Sequence, residues 1–240
     1  MKKLHSAAIA AALCVASAFA HASDADIRKA LKAAYPEMPE VALIKPAPLP
    51  GLFEVVVGSE MIYSDAKGKY LIQGSLIDVA TKKNLTEERM QAINKVDFKD
   101  LPLANAVVNK YGTGARKLVV FADPNCGFCK KLERESIPKL KDVTVYTILV
   151  PILSPDSGVK SRNIWCAADR GKAWEDWIQR EVATPAAAES CDSKVIDANM
   201  ELARKLRVTG TPTMFFESGT RLPGALPLEE INKHLAAVAR

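Results

Sequence analysis

Two cysteines separated by two residues, Cys126-Gly127-Phe128-Cys129, follow the apolar stretch Leu118-Val119-Val120-Phe121-Ala122 and open a basic segment, Lys130-Lys131-Leu132-Glu133. This spacing supports thiol–disulfide exchange. A thiol at a helix N-terminus meets the positive end of the macrodipole and unpaired backbone N–H groups, which favour thiolate over thiol. Two intervening residues let the second sulfur close a disulfide within the first turn, so the pair cycles between dithiol and disulfide with little backbone movement. On this reading Cys126 attacks and Cys129 resolves the mixed disulfide.

Other uses of such a pair fit less well. Cys-x-x-Cys is also half of a zinc site, but Cys166 and Cys191 lie far apart and form no second knuckle, so no metal is expected. Attachment of a c-type haem needs a histidine directly after the second cysteine, where Lys130 stands. A Cys–His hydrolase would have to rely on His234, because His5 and His21 fall in a removable leader. A purely structural bridge is the remaining alternative, and a strand leading into a Cys-x-x-Cys helix start favours the redox role. No cofactor is called for.

The elements that must position these thiols follow from hydrophobic patterning. After the cysteine-bearing helix, Val143 to Val150 is a β-branched run ending at Pro151, long enough for a buried strand. Strand, helix and strand in that order predict a parallel pair with the helix as crossover and the active groups at the strands' carboxyl ends. Residues 154 to about 207 read as mostly helical, with stripes at Ile164, Trp165 and Ala168, at Trp174, Trp177 and Ile178, and from Val195 to Leu206. The tryptophans are expected to pack between elements rather than form a binding box. Cys166 falls in the first of these helices, and Cys191 opens the third after a loop from Thr184 to Ser190. In an oxidising compartment these two are expected to bond, with two free buried thiols as the alternative. The bridge would close about 25 residues, a constraint of ~3 kcal/mol on the unfolded chain. Further on, Gly210-Thr211-Pro212-Thr213 precedes the strand Met214-Phe215-Phe216. Proline is tolerated at a strand's first position, and the Thr211–Pro212 bond is open to either isomer. A hairpin at Glu217 to Thr220 and a last helix from Leu228 to Ala239, with Ile231, Leu235 and Val238 on one face, complete the domain.

Upstream, Lys2 and Lys3 precede an apolar run from Ala7 to Ala20 that ends in Ala20-His21-Ala22, the pattern of a secretory leader cut after Ala22. The run is short for a membrane span. Export places the mature chain where disulfides persist, and removal of Cys14 with the leader leaves four of the five cysteines. The formal charge falls from +5 to +3 without Lys2 and Lys3, too mild and scattered for a nucleic-acid partner. Lys82-Lys83 and Lys130-Lys131 read as solvated faces.

Residues 24 to about 85 form a unit of their own. A helix from Asp24 to Ala34 is followed by strands at Phe53–Val57, Met61–Tyr63 and Tyr70–Ile72, the last running on through Leu76–Val79, with a hairpin turn at Asp65–Gly68. Roughly sixty residues of this kind bury too little apolar surface to stand alone. Their strands are covered either by the rest of the chain or by a second copy paired through edge strands; both arrangements are open, and a homodimer is the one hypothesised. From Asn84 the pattern turns helical, capped by Asn84 with Glu87 three residues on, and continues to Asp97-Phe98 and the break at Leu101-Pro102, as a connector with a thin apolar stripe.

The whole mature chain resembles the bacterial periplasmic disulfide isomerases of the DsbC/DsbG family. The resemblance rests on Ile72-Gln73-Gly74, Cys126-Gly127-Phe128-Cys129, Ile164-Trp165-Cys166-Ala167, Ser190-Cys191-Asp192 and Gly210-Thr211-Pro212. It implies an α+β N-terminal dimerisation domain over 23–85 after a signal peptide over 1–22, a linker helix over 86–102, and an α/β thioredoxin-fold catalytic domain over 103–240 with a helical insertion. It implies a V-shaped homodimer whose catalytic domains face one another around an uncharged cleft for misfolded exported proteins, and a membrane reductase of the DsbD type as electron donor. Cys126 and Cys129 would be catalytic, with Gly127, Phe128, Thr211 and a cis Pro212 facing substrate and Cys166–Cys191 as the structural disulfide. Gly127-Phe128 is close to the Gly-Tyr of the isomerase branch and unlike the Pro-Tyr of the DsbG branch. Val120 occupies the position, six before Cys126, where thioredoxins carry a buried acid. A reductase of single oxidised cysteines, as in the sister branch, and a monomeric exported oxidase are the alternatives.

Overall fold

The computed structural model describes residues 24–58 and 60–237. The leader with its cleavage point, Cys14, and Val238 of the last helix lie outside the described residues. The chain divides into two compact units between Met90 and Gln91.

In the first unit, residues 24–34 form helix α1, whose Ile27 and Leu31, one turn apart, pack with Ile44 and Val55 in a small core. Four antiparallel strands follow as a meander, β1 (Val41–Pro46), β2 (Leu52–Val57), β3 (Glu60–Asp65) and β4 (Leu71–Ile72), adjacent in that order. Strand β1 goes unseen in the sequence because Ile44 is its one fully buried side chain, so no alternation marks it. The turn expected at Asp65–Gly68 joins β3 to β4. The Asp65 carboxylate accepts from the backbone N–H groups of Lys69 and Tyr70 at 2.7 and 2.9 Å. Gly68 has φ +67°, and a Cβ there would lie 2.7 Å from the Ala30 side chain, so α1 and this turn approach too closely for any other residue.

Two elements depart from the pattern of the sequence. The strand read as running from Tyr70 to Val79 breaks: β4 has two residues, and β5 (Ile77–Asp78) pairs instead with β6 (Lys83–Asn84) in a separate hairpin. The interruption at Gln73-Gly74-Ser75 leaves Ile72, Ile77 and Val79 exposed rather than in one ladder. The capped helix α2 (Leu85–Ile93) forms, with the Glu87 N–H bonded to Asn84 Oδ1 at 3.1 Å, but it stops four residues before Asp97 and buries no side chain. Asp97 caps a separate 3-10 turn, Phe98–Asp100, whose Phe98 enters the core of the second unit.

The second unit is built on a five-stranded sheet of β7 (Val107–Tyr111), β8 (Arg116–Ala122), β9 (Val143–Leu149), β10 (Thr213–Phe216) and β11 (Arg221–Pro223), in the order β11-β10-β8-β9-β7. Strands β8 and β9 are parallel, as strand–helix–strand order requires, and the other neighbours are antiparallel. Edge strand β7 leaves no mark in the sequence, since its short run has one fully buried residue, Val107. The crossover is α3 (Gly127–Glu135). Alternation along β8 sends Leu118, Val120 and Ala122 to one face, against Cys129 and Leu132 of α3. Val119 and Phe121 go to the other, against Phe98 and Leu101.

The helical region comprises α4 (Pro155–Trp165), α5 (Arg170–Arg180) and α6 (Lys194–Lys205), and α7 (Leu228–Ala236) ends the unit. Trp174 and Ile178 of α5 and Ile231 and Leu235 of α7 cover the α3 face of the sheet. Helix α6 begins three residues after Cys191, so that cysteine lies in the preceding loop rather than at the helix start.

Candidate active site

Strand β8 delivers the chain to a tight turn, Asp123 to Cys126, that the Asp123 side chain organises. Its carboxylate accepts from the N–H of Asn125 at 2.7 Å and from the N–H of Leu153, beyond β9, at 3.0 Å. Its carbonyl accepts from Cys126 N–H at 3.1 Å. The turn ends with Cys126 as the N-cap of α3, where its sulfur accepts from the Cys129 N–H at 3.4 Å. Opposite lies the cis Thr211–Pro212 bond, and the Cys126 sulfur lies 3.1 Å from the Thr211 carbonyl oxygen, to which it donates when protonated. The structure thus brings Cys126, Cys129, Thr211 and Pro212 together at the carboxyl end of β8. Cys126 is 5% exposed and Cys129 1%, both as free thiols. Gly127 faces solvent, and Phe128, 67% exposed, projects beside the thiols.

The two sulfurs differ in acidity because they differ in surroundings. Hydrogen bonding from the Cys129 thiol, foremost, lowers the Cys126 thiol against the opposing effect of burial; the Thr211 hydroxyl and the backbone amides of Cys129 and Phe128 add to this and bring it to about 5. Cys129 moves the other way, raised first by burial and then by the neighbouring Cys126. Near neutral pH the pair therefore holds one thiolate, at Cys126, and one thiol, at Cys129.

Residues with no signal in the sequence hold this turn from the side. Asn125 Nδ2 donates to Asp156 at 2.7 Å and to Ser157 at 3.2 Å, at the start of α4. Lys160 donates to Asn125 Oδ1 at 3.0 Å and lies 4.1 Å from the ring centroid of Trp177. The Trp177 indole N–H donates to the Pro124 carbonyl at 2.7 Å. Trp165 and Trp174 pack in the core as expected, whereas Trp177 also supports the active-site turn. Lys130 is not a free solvated charge: it pairs with Glu181 at 2.7 Å and lies 5.2 Å from the Trp177 ring. The Asp-Pro-Asn run before Cys126 was a legible turn signal. Its partners from α4 and α5 had none.

The second cysteine pair is joined. Cys166, the C-cap of α4, bonds Cys191 across a Cα–Cα distance of 6.1 Å. The bridge ties α4 to the loop before α6 and leaves neither sulfur to complete a zinc site with Cys126 and Cys129. Among the described residues no group of three His, Cys, Asp or Glu side chains is placed to hold a metal.

A five-stranded sheet with a parallel central pair, a dithiol at the N-terminus of the crossover helix and a cis-proline opposite it define a thioredoxin-fold protein with a free dithiol. Comparison with known proteins gives the particular lineage. Residues 18–87 match the disulfide bond isomerase protein N-terminal domain, and residues 103–239 the thioredoxin-like domain. The thiol:disulfide interchange protein DsbC of Escherichia coli K12 is 31% identical over 226 residues, covering 91% of this chain and 90% of that protein. The probable thiol:disulfide interchange protein DsbC of Bordetella pertussis is 46% identical over 185 residues, covering 77% of this chain and 65% of that protein, a little under two thirds of its length. Among solved structures, the disulfide interchange protein from Neisseria gonorrhoeae matches with a TM-score of 0.54 and 34% identity, over 58% of this chain and 99% of that one. The chain belongs to the DsbC family. Among the described residues no helix is long and apolar enough to cross a membrane.

Proposed function

We propose that this protein is a disulfide isomerase of exported proteins, acting in the periplasm after removal of its leader. The observation that carries the reading is the split between the two thiols: Cys126, held at about pKa 5 at a helix N-terminus, beside Cys129, buried and held as thiol. A thiolate of this kind attacks one sulfur of a non-native disulfide, forming a mixed disulfide at Cys126 and releasing the other substrate sulfur as a thiolate. That thiolate, or another in the same substrate, then attacks the mixed disulfide and forms a new pairing, returning Cys126 unchanged. If no substrate thiolate arrives, Cys129 attacks instead. The Cys126–Cys129 disulfide forms and the substrate leaves reduced by two electrons, which a membrane reductase of the DsbD type would restore.

Gly127, Phe128, Thr211 and Pro212 are assigned to substrate contact. Phe128 supplies exposed apolar surface beside the nucleophile, and the cis Thr211–Pro212 bond at the start of β10 lies opposite it. The N-terminal domain over 23–85 is assigned to homodimerisation, the segment 86–102 to linking, and 103–240 to catalysis. Dimerisation is supported by the exposed apolar residues of edge strand β4, Leu71 and Ile72, and of the adjoining Tyr70.

The test is reactivation of a scrambled multi-disulfide protein by the full chain, run beside Ile72→Lys with the mass of each measured in solution. A dimeric wild type that reactivates the substrate, and a monomeric variant that does so several-fold less, are the expected results. A monomeric wild type, or equal activity in a monomeric variant, would remove the dimer from the mechanism. Faster turnover of a sulfenic-acid substrate than of the scrambled protein would replace isomerisation by reduction of single oxidised cysteines.

A further inference from the structure

Resolution of a mixed disulfide by Cys129 leaves one proton without a destination. When Cys129 resolves a mixed disulfide it must become a thiolate, yet it is the sulfur that burial keeps protonated. The strand position six residues before Cys126 offers only Val120, itself buried. Asp123 is near, but both its carboxylate oxygens accept backbone N–H bonds that hold the active-site turn.

Helix α3 carries another acid. Glu133 lies four residues after Cys129, on the same buried face with Leu132, and is 2% exposed. Side chains four apart on a helix are neighbours, with Cβ atoms about 5–6 Å apart. The Cα–Cβ bond of the later residue tilts toward the helix N-terminus, here toward Cys129. Among the described residues Glu133 has no ion-pair partner, and its one hydrogen bond comes from the Trp174 indole N–H at 2.9 Å. The groups facing it from other elements are Trp174 and Glu175 of α5 and Tyr111 of β7, whose hydroxyl donates to Glu175 at 3.2 Å. None is a cation. A carboxyl kept in a core without a counter-charge costs stability, so packing alone does not account for it.

We propose that the Glu133 carboxylate accepts the proton that Cys129 loses when it resolves a mixed disulfide on Cys126. This rests on the reading of Cys126 and Cys129 as the exchanging thiols. In the step, the Cys129 sulfur bonds to the Cys126 sulfur, the bond from Cys126 to the substrate sulfur breaks, and the substrate leaves as a thiolate. The proton passes from Cys129 to Glu133, either directly or through one water. Burial first, and Glu175 in addition, outweigh the Trp174 hydrogen bond and push the Glu133 carboxyl up to about 7, where it both takes and returns a proton under physiological conditions.

The experiment isolates the two steps in the full chain. Cys126 is loaded with 5-thio-2-nitrobenzoate, and release of that chromophore by Cys129 is followed across pH. For the wild type the release rate is expected to rise through an inflection near 7. In Glu133→Gln, which keeps the volume and an acceptor for Trp174, release at neutral pH falls on the order of 100-fold and the inflection disappears. Trp174→Phe removes the bond that holds the Glu133 value down, so its inflection moves to higher pH; this variant decides the matter if Glu133→Gln does not fold. Normal loading with an unchanged rate and pH profile in Glu133→Gln, or an unmoved inflection in Trp174→Phe, overturns the assignment of Glu133 alone. Failure of Cys126 to load overturns the reading of the thiols and this proposal with it.

Discussion

The same unit of this protein holds two cysteine pairs, and they sit at opposite ends of helices. Cys126 is the N-cap of α3, where free N–H groups and the positive end of the dipole meet its sulfur. Cys166 is the C-cap of α4, where its own N–H closes the last turn and the dipole turns negative. Two residues separate the first pair, which lies within one helical turn; the second spans 25 residues and joins a helix end to a loop. The first pair is free and the second bonded. Sulfur is identical in both places. What differs is whether the backbone around it stabilises a negative charge, which fits the proposed roles of the first pair as reagent and the second as brace.

The comparison is broken most severely at the first pair. Cys126→Ser is expected to abolish reactivation of a scrambled substrate, whereas Cys129→Ser keeps part of it and accumulates mixed disulfides visible on a non-reducing gel. Equal and complete loss in both would erase the distinction between attacking and resolving thiols. At the second pair, replacing Cys166 and Cys191 together by alanine should lower the free energy of unfolding by ~3 kcal/mol, read from urea denaturation. The alkylation rate of Cys126 should not change; if it does, the brace also shapes the reagent.

The finest test concerns acidity. In the wild type the alkylation rate of Cys126 should follow its thiolate, with a midpoint near 5. Because the folded value lies below the ordinary thiol range, reactivity persists throughout the neutral range and is lost only as pH falls through that midpoint. Cys129→Ala removes the largest lowering contribution, so the midpoint rises toward the ordinary range. An unmoved midpoint would transfer the effect to the helix N-terminus itself.

Much of this was legible before any coordinates. The apolar run at Leu118–Ala122, the spacing of Cys126 and Cys129 and the run at Val143–Val150 announce a strand, a cysteine-led helix and a parallel strand, because period-two burial and helix-start chemistry leave direct marks on composition. The short edge strands β1 and β7 left no such mark, since each has one fully buried residue. The break after Ile72 was hidden for a related reason: exposed apolar residues read as strand whether or not they join a ladder. Helix α2 ends earlier than its pattern suggests because Phe98, which continues the pattern in the sequence, belongs to the core of the second unit.

The sequence alone pointed to the proposed reaction, because two sulfurs at a helix start, two residues apart, suit thiol–disulfide exchange. Which groups tune those sulfurs was decided only by tertiary structure. Thr211 lies 85 residues from Cys126 in the chain, Trp177 lies 53 from Pro124, and Trp174 lies 41 from Glu133. Local patterns report which face of an element is buried, because burial repeats with the period of the element. They carry no record of which distant side chain arrives on that face, since that depends on how the sheet and its covering helices close around it.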